Sequence, residues 1–371
     1  MAKALFLPGL IAALLAFLTC TTTAVEITDI FSVEDGTRDG GCDHRAAVLD
    51  QWLSETIGSI VEALNAIERY EQDIRVRRSM SAIFGIRNAG RRTAAVNVVR
   101  ASPDYIDYLE TFFNNVPDDA TGKPTYSKEK FWLFCDSTFL SLHDPTDPAS
   151  DYEGNEIKDE NDDSRTIRIM DVPTYQKHLA EDSDNKPWYS GELTKLNGYY
   201  FTEYGGNYCY DDDLGITAAI YPLTKGANGA AEGGEDEGVP VTASIVVCPH
   251  SFDGSPRPNS YREANALIRD GTNLADAVPK SATLLHEAFH AIHGDGFLSG
   301  SSEQYDIASC LNLPAVDAQK NPENYIFFIA HMYHLFGESE GTEPWSIDTN
   351  WDFAVRGRGQ NRIFGAIEPQ G

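Results

Sequence analysis

The stretch Ser281–Gly294, SATLLHEAFHAIHG, constrains this chain more than any other. It contains His286-Glu287-Ala288-Phe289-His290, an H-E-x-x-H pattern. On an α-helix, residues four apart stand one above the other, about one turn or ~6 Å along the axis. Two imidazoles so placed can bind one zinc ion through ring nitrogens at about 2.0–2.1 Å. Glu287 then faces the attacking water and serves as its general base. Local signals agree with a helix. Pro279 and Ser281 suit its start, Leu284, Leu285, Ala288, Phe289 and Ile292 form an apolar flank, and Gly294 supplies a stop. With nine histidines in 371 residues, chance yields this pattern on the order of one time in a hundred. A helix carrying two ordinary buried histidines is therefore the weaker reading.

Zinc needs a third protein ligand and an open position. His293 shares the face of His286 and His290, but it stands a further turn along, roughly 4–5 Å from where the metal must sit. The continuation H-E-x-x-H-x-x-G-x-x-H fails, because position 293 is His and position 296 is Gly. No Glu from a later helix carries a distinctive motif. Asp295 follows His290 by five residues, too soon to fold back.

Residues 1–24 read as a secretory signal peptide: Lys3, an apolar run from Leu5 to Leu18, and small residues at Thr21-Thr22-Thr23-Ala24. The run is shorter than the ~20 residues of a comfortable membrane span, so a secreted protein with no stable membrane association is expected. The formal charge is −28, from 57 acidic and 29 basic side chains. That excludes nucleic acid and anionic membranes as partners. A protein or peptide substrate and a monomeric state are expected. With Cys20 in the leader, Cys42, Cys135, Cys209, Cys248 and Cys310 remain, which predicts two disulfides and one odd thiol, the pairing left open.

After a leader over 25–41, Leu49, Trp52, Leu53, Ile57, Ile60, Leu64 and Ile67 predict a long amphipathic helix between Asp43 and Asp73. The arginines 75, 77, 78, 87, 91, 92 and 100 suggest internal ion pairing in so acidic a chain, with processing at a dibasic pair as the sharper alternative. Tyr105, Tyr108, Leu109, Phe112 and Phe113 form a second short stripe. Strands are expected at Phe131–Cys135, Gly198–Tyr204, Gly215–Leu223 and Val241–Cys248, and a closing helix at Asn324–Leu335. Asp144–Asp163, Asp211-Asp212-Asp213 and Glu232–Glu237 read as solvated acidic loops, and the tail over 338–371 as a surface wrap.

Taken in order, several pieces resemble the deuterolysin and peptidyl-lysine metalloendopeptidase family, the aspzincins, in a divergent fungal-type secreted form. They are Cys42 opening the long helix, Ile245–Phe252 (IVVCPHSF), Thr283–His290 (TLLHEAFH), Tyr305–Leu313 (YDIASCLNL) and Asn321–Phe328 (NPENYIFF). The resemblance implies a zincin-like α+β metallopeptidase domain over 42–337, with an H-E-x-x-H helix, a long N-terminal helix and a small sheet. It also implies zinc held by His286 and His290, and Glu287 as base. In the family a G-T-x-D-x-x-Y-G segment gives the third ligand from its Asp and an oxyanion donor from its Tyr. Tyr305 matches that Tyr, but Ser302 stands where the ligand Asp would be and Asp306 at the Gly position. Glu303 is the nearest carboxylate and the first choice of third ligand, with Asp306 second.

The function expected is a secreted zinc metalloendopeptidase, with basic residues favoured at the cleavage site by the acidic loops. The competing expectation is a catalytically degenerate binding or effector protein on the same scaffold, motivated by the missing ligand Asp.

Overall fold

The computed structural model describes residues 25–85, 112–113, 126–299 and 302–368, apart from 152–153, 160, 182–184, 191–197, 203–208, 211, 221–222, 226–230, 234–241 and 338–345. The signal peptide, Tyr105, Tyr108, Leu109 and the arginines 87–100 lie outside them.

The apolar stripe of the first long helix, α1 (Ala46–Glu68), buries Leu49, Trp52, Leu53, Ile60, Ala63 and Ile67. It ends at Arg69, whose backbone leaves the helical region. Asp73 then caps α2 (Ile74–Ile83), its side chain accepting from the Arg75 backbone N–H at 2.8 Å. Of the arginine cluster's described members, 75, 77 and 78, two are ion-paired as expected, Arg75 with Asp73 and Arg78 with Asp352.

Four strands form the main sheet: β1 (Ser32–Val33), β2 (Phe131–Phe134), β3 (Gly215–Ile220) and β4 (Thr242–Val247), in the order β1-β2-β4-β3. β1, β2 and β4 run parallel, and β3 is antiparallel at the edge. Val247 lies opposite Gly215, and Ile245 opposite Thr217. Gly215 and Thr217, two apart, therefore share one face of the edge strand. The motif helix α3 (Ala282–His293) packs on β3 and β4, and on α1 and α4 (Pro322–Phe336). Because it is enclosed on most sides, Ala282 to Phe289 are all buried, polar residues included. The fold is mixed α+β, and among the described residues no helix is long and apolar enough to cross a membrane.

Both disulfides form, Cys42–Cys135 and Cys209–Cys248, and Cys310 is the free, buried thiol. The first joins the start of α1 to the end of β2 across 93 residues. The second ties the segment before β3 to the end of β4.

Three expectations about the chain's margins change. The leader is part of the core: Ile27, Ile30 and Phe31 are buried, and β1 extends the sheet. Within the acidic stretch 144–163, Ala149 and Ile157 are fully buried with Ile169, Val172, Tyr175 and Tyr199 in a small satellite core. Two apolar residues suffice there because neighbours from distant segments close over them. The tail is likewise no surface wrap. Asp352–Arg356 and Ile363–Ile367 form a hairpin whose Phe353 and Phe364 pack on His331 of α4.

Behind α3 lies a buried acid. Glu55 of α1 is fully buried and accepts from the Tyr261 backbone N–H at 2.7 Å and from the Ser281 hydroxyl. Ser281 was expected to cap α3; instead its hydroxyl is given to Glu55. Burial raises the Glu55 pKa to about 7, although both hydrogen bonds oppose the shift. The folded state thus holds this proton more tightly than the unfolded chain, so the stabilisation is full below about pH 4.5 and is lost as pH rises to about 7. Glu55→Gln, which can still accept from Tyr261 and can donate to Ser281, is expected to flatten that slope. It should raise stability at pH 8 by on the order of 1–3 kcal/mol. Urea unfolding of both proteins at pH 5 and pH 8 checks this; parallel pH profiles would remove the assignment.

Candidate metal centre and cleft

The helical spacing delivers His286 and His290 to one side of α3, with their rings 5.2 Å apart. Glu303 arrives from the loop before α4 and is 6% exposed, so its carboxylate is almost out of water. That loop is held by a two-point clamp. Asn321, just before α4, accepts from the Gln304 backbone N–H and donates to the Gln304 carbonyl, each at 2.9 Å. The Tyr305 hydroxyl donates to Glu303 Oε2 at 2.8 Å, and its ring stacks on His286.

Glu303 Oε1 lies 3.0 Å from His286 Nε2 and 3.4 Å from His290 Nε2. Neither contact has hydrogen-bond geometry, and this buried oxygen has no other partner. Ligand atoms at 2.0–2.1 Å in a tetrahedral set lie roughly 3.3 Å apart. The two carboxylate–imidazole distances match that spacing, and the three ligand atoms all lie within 4.8 Å of one another. His286, His290 and Glu303 are a group able to hold a metal ion. Asp306, the second choice as ligand, instead caps a helical turn through the Ser309 backbone N–H at 2.9 Å. His293 stacks on Phe297 and takes no place in the group.

Charge points the same way. Burial would lower the His286 pKa, but the carboxylates of Glu303, Glu323 and Glu287 raise it to about 10. Burial would raise that of Glu303, but the two imidazoles bring it down to about 2. Three carboxylates around two imidazoles make a site that favours added positive charge.

Glu323, in the first turn of α4, was not identified from sequence as part of the site. Its Oε2 sits 3.0 Å from His286 Nδ1 and accepts that N–H when Nε2 serves the metal. An acid in the first turn after a proline is an ordinary helix start, which is why NPEN gave no metal signal. A later-helix Glu thus does reach the site, on the far nitrogen of the ring.

Glu287 is set by the edge strand. Thr217 Oγ1 donates to Glu287 Oε2 at 2.7 Å. A Cβ added at Gly215 would lie 2.8 Å from both Cγ and Oε1 of Glu287. The missing side chain is the space the carboxylate occupies. Gly215→Ala is expected to displace Glu287 and cut turnover roughly 10–100-fold while metal content stays unchanged. Parallel activity and metal assays check it; full activity would show that Glu287 has room elsewhere.

These residues line one cleft of about 420 Å³, together with Asp212, Asp213, Arg257, Thr283 and Ser299. Asp212 and Asp213 are therefore cleft residues as well as loop acids. The Cys209–Cys248 bridge, with the Cys248 N–H and Ser251 hydroxyl both donated to the Leu214 carbonyl, holds them there. Compared with known proteins, the chain matches no family model, no curated protein and no solved structure.

Proposed function

We propose that this protein is a secreted zinc-dependent metalloendopeptidase on a zincin-like scaffold, a divergent relative of the aspzincins. The observation that carries the reading is the convergence of His286, His290 and Glu303 beside Glu287 in an open cleft. Two imidazoles and a carboxylate suit zinc and are the donor set of catalytic rather than structural sites. Two disulfides suit an oxidising compartment.

Zinc bound there would supply Lewis-acid polarisation of the scissile carbonyl and make water acidic enough to attack near neutral pH. Glu287, oriented by Thr217 and the gap at Gly215, takes the proton of the attacking water and passes it to the leaving amine. Glu323 holds His286 in the tautomer that frees Nε2. Tyr305 positions Glu303; the oxyanion role expected of it requires exchanging that hydrogen bond for one to the substrate. Asp212 and Asp213 place negative charge along the peptide's path, in keeping with a basic residue beside the scissile bond. A cleavage profile flat in Lys and Arg would remove that preference.

The competing reading is a catalytically silent binding protein on the same scaffold. It draws on the Tyr305 hydroxyl being engaged by Glu303. Elemental analysis of purified protein beside a chelator-sensitive casein digestion separates the two. About one zinc per chain with chelator-sensitive digestion supports the peptidase. Bound zinc without digestion leaves the binding protein.

A further inference from the structure

Arg257 is the one lysine or arginine lining this cleft, among the described residues. Its guanidinium makes one described contact, Nη2 to Glu323 Oε1 at 3.4 Å. Glu323 Oε2 is engaged by His286 Nδ1, and the described contact to the guanidinium is through Oε1 alone. The Arg257 side chain is 24% exposed, so it is part-buried, with donors still open to the cleft. Such a group gains most from an anion brought in by a ligand.

The backbone holds Arg257 ready. Pro256 and Pro258 flank it, which restricts the chain on both sides. The Lys280 N–H donates to the Pro258 carbonyl at 2.9 Å, and Lys280 Nζ to the Phe252 carbonyl at 2.9 Å. The Arg257 N–H reaches Ser255 Oγ at 3.3 Å. A strap pinned at the start of α3 loses little conformational entropy when a ligand arrives. Its planar fork fits a carboxylate through two parallel hydrogen bonds.

Position completes the argument. Asp213 precedes Gly215, which abuts Glu287, whereas Arg257 pairs with Glu323 at the far nitrogen of His286. Acids and arginine thus reach one cleft from separate segments, Asp212 and Asp213 from just before β3 and Arg257 from the strap before α3.

We infer that Arg257 is a recognition residue for a substrate carboxylate in this cleft. The inference rests on the peptide-substrate reading. The carboxylate is either the C-terminus of the peptide or an acidic side chain near the scissile bond, and the test tells them apart.

The test uses full-length zinc-loaded Glu287→Gln protein, so that peptides bind without being cut. Calorimetry follows N-acetylated octapeptides with one Lys, ending in a free acid or an amide, and carrying Glu or Gln at each position after the Lys. A correctly placed carboxylate is expected to tighten binding roughly tenfold. Arg257→Met added to the same protein should abolish that preference while leaving amidated Gln peptides unaffected. Arg257→Lys keeps the charge beside Glu323 without the fork and should keep part of the preference, so a folding defect in the Met variant does not decide the matter. Dependence on the free acid assigns the C-terminus; dependence on one Glu position assigns the side chain. Equal binding of all peptides by both proteins overturns the inference and leaves the peptide reading standing. Equal weakening of every peptide by Arg257→Met also overturns it, reducing Arg257 to a support for Glu323. Failure of every peptide to bind overturns the peptide reading and this inference with it.

Discussion

Glu287→Gln is expected to lower peptide hydrolysis by roughly 10²–10⁴-fold, the usual contribution of a positioned general base. Zinc content should not change. The substitution keeps the size of the side chain, and the amide oxygen can still accept from Thr217. What is lost is the capacity to take and return a proton. The group able to hold a metal, His286, His290 and Glu303, does not include Glu287, so stoichiometry and activity should separate cleanly. Elemental analysis and digestion of a casein substrate on one preparation read both. Activity within a few-fold of wild type would move the base elsewhere.

Glu303→Ala should fail in the opposite way, losing metal and activity together. It removes the one carboxylate whose buried oxygen lies within 3.0 and 3.4 Å of both ring nitrogens. Metal affinity should fall by more than the roughly 10–100-fold typical of an outer partner. Glu323→Gln supplies that comparison, because Glu323 contacts His286 at Nδ1, and its loss should stay within that range. Asp306→Ala should leave the metal in place and weaken only a helical turn, by about 1 kcal/mol. Zinc affinity by competition with a chromophoric chelator ranks the variants. Equal affinity in Glu303→Ala and wild type would remove Glu303 as a ligand.

The part of the site carried on one helix was legible in the chain. His286, Glu287 and His290 fall within five residues, in a pattern whose helical period sets their geometry. The long helix, the strands from Phe131 and Thr242 and the closing helix were legible for the same reason, since burial of one face leaves its period in the sequence. The halves of the site supplied by other segments were less so. Glu303 could be narrowed to one of two acids, and the structure separates them by giving Asp306 a capping bond. Gly215, Thr217, Glu323 and Arg257 carried no signal. Each is an ordinary residue of a strand, a helix start or a proline-flanked turn, and acquires a role only through what lies opposite.

By itself, then, the sequence determined the motif helix, the amphipathic frame around it, the cysteine count that leaves one thiol over, and the acidity of the whole. Tertiary structure decided which cysteines pair, that the leader and tail belong to the core, and which acid meets the two histidines. It also decided that Gly215 vacates the space Glu287 fills. The physical reason is range. Helical and strand periods are local consequences of backbone geometry and burial, readable over a dozen residues. A group able to hold a metal, a buried acid such as Glu55 and a cleft lined by several segments are contacts between parts far apart in the chain, specified jointly by all the packing that brings them together.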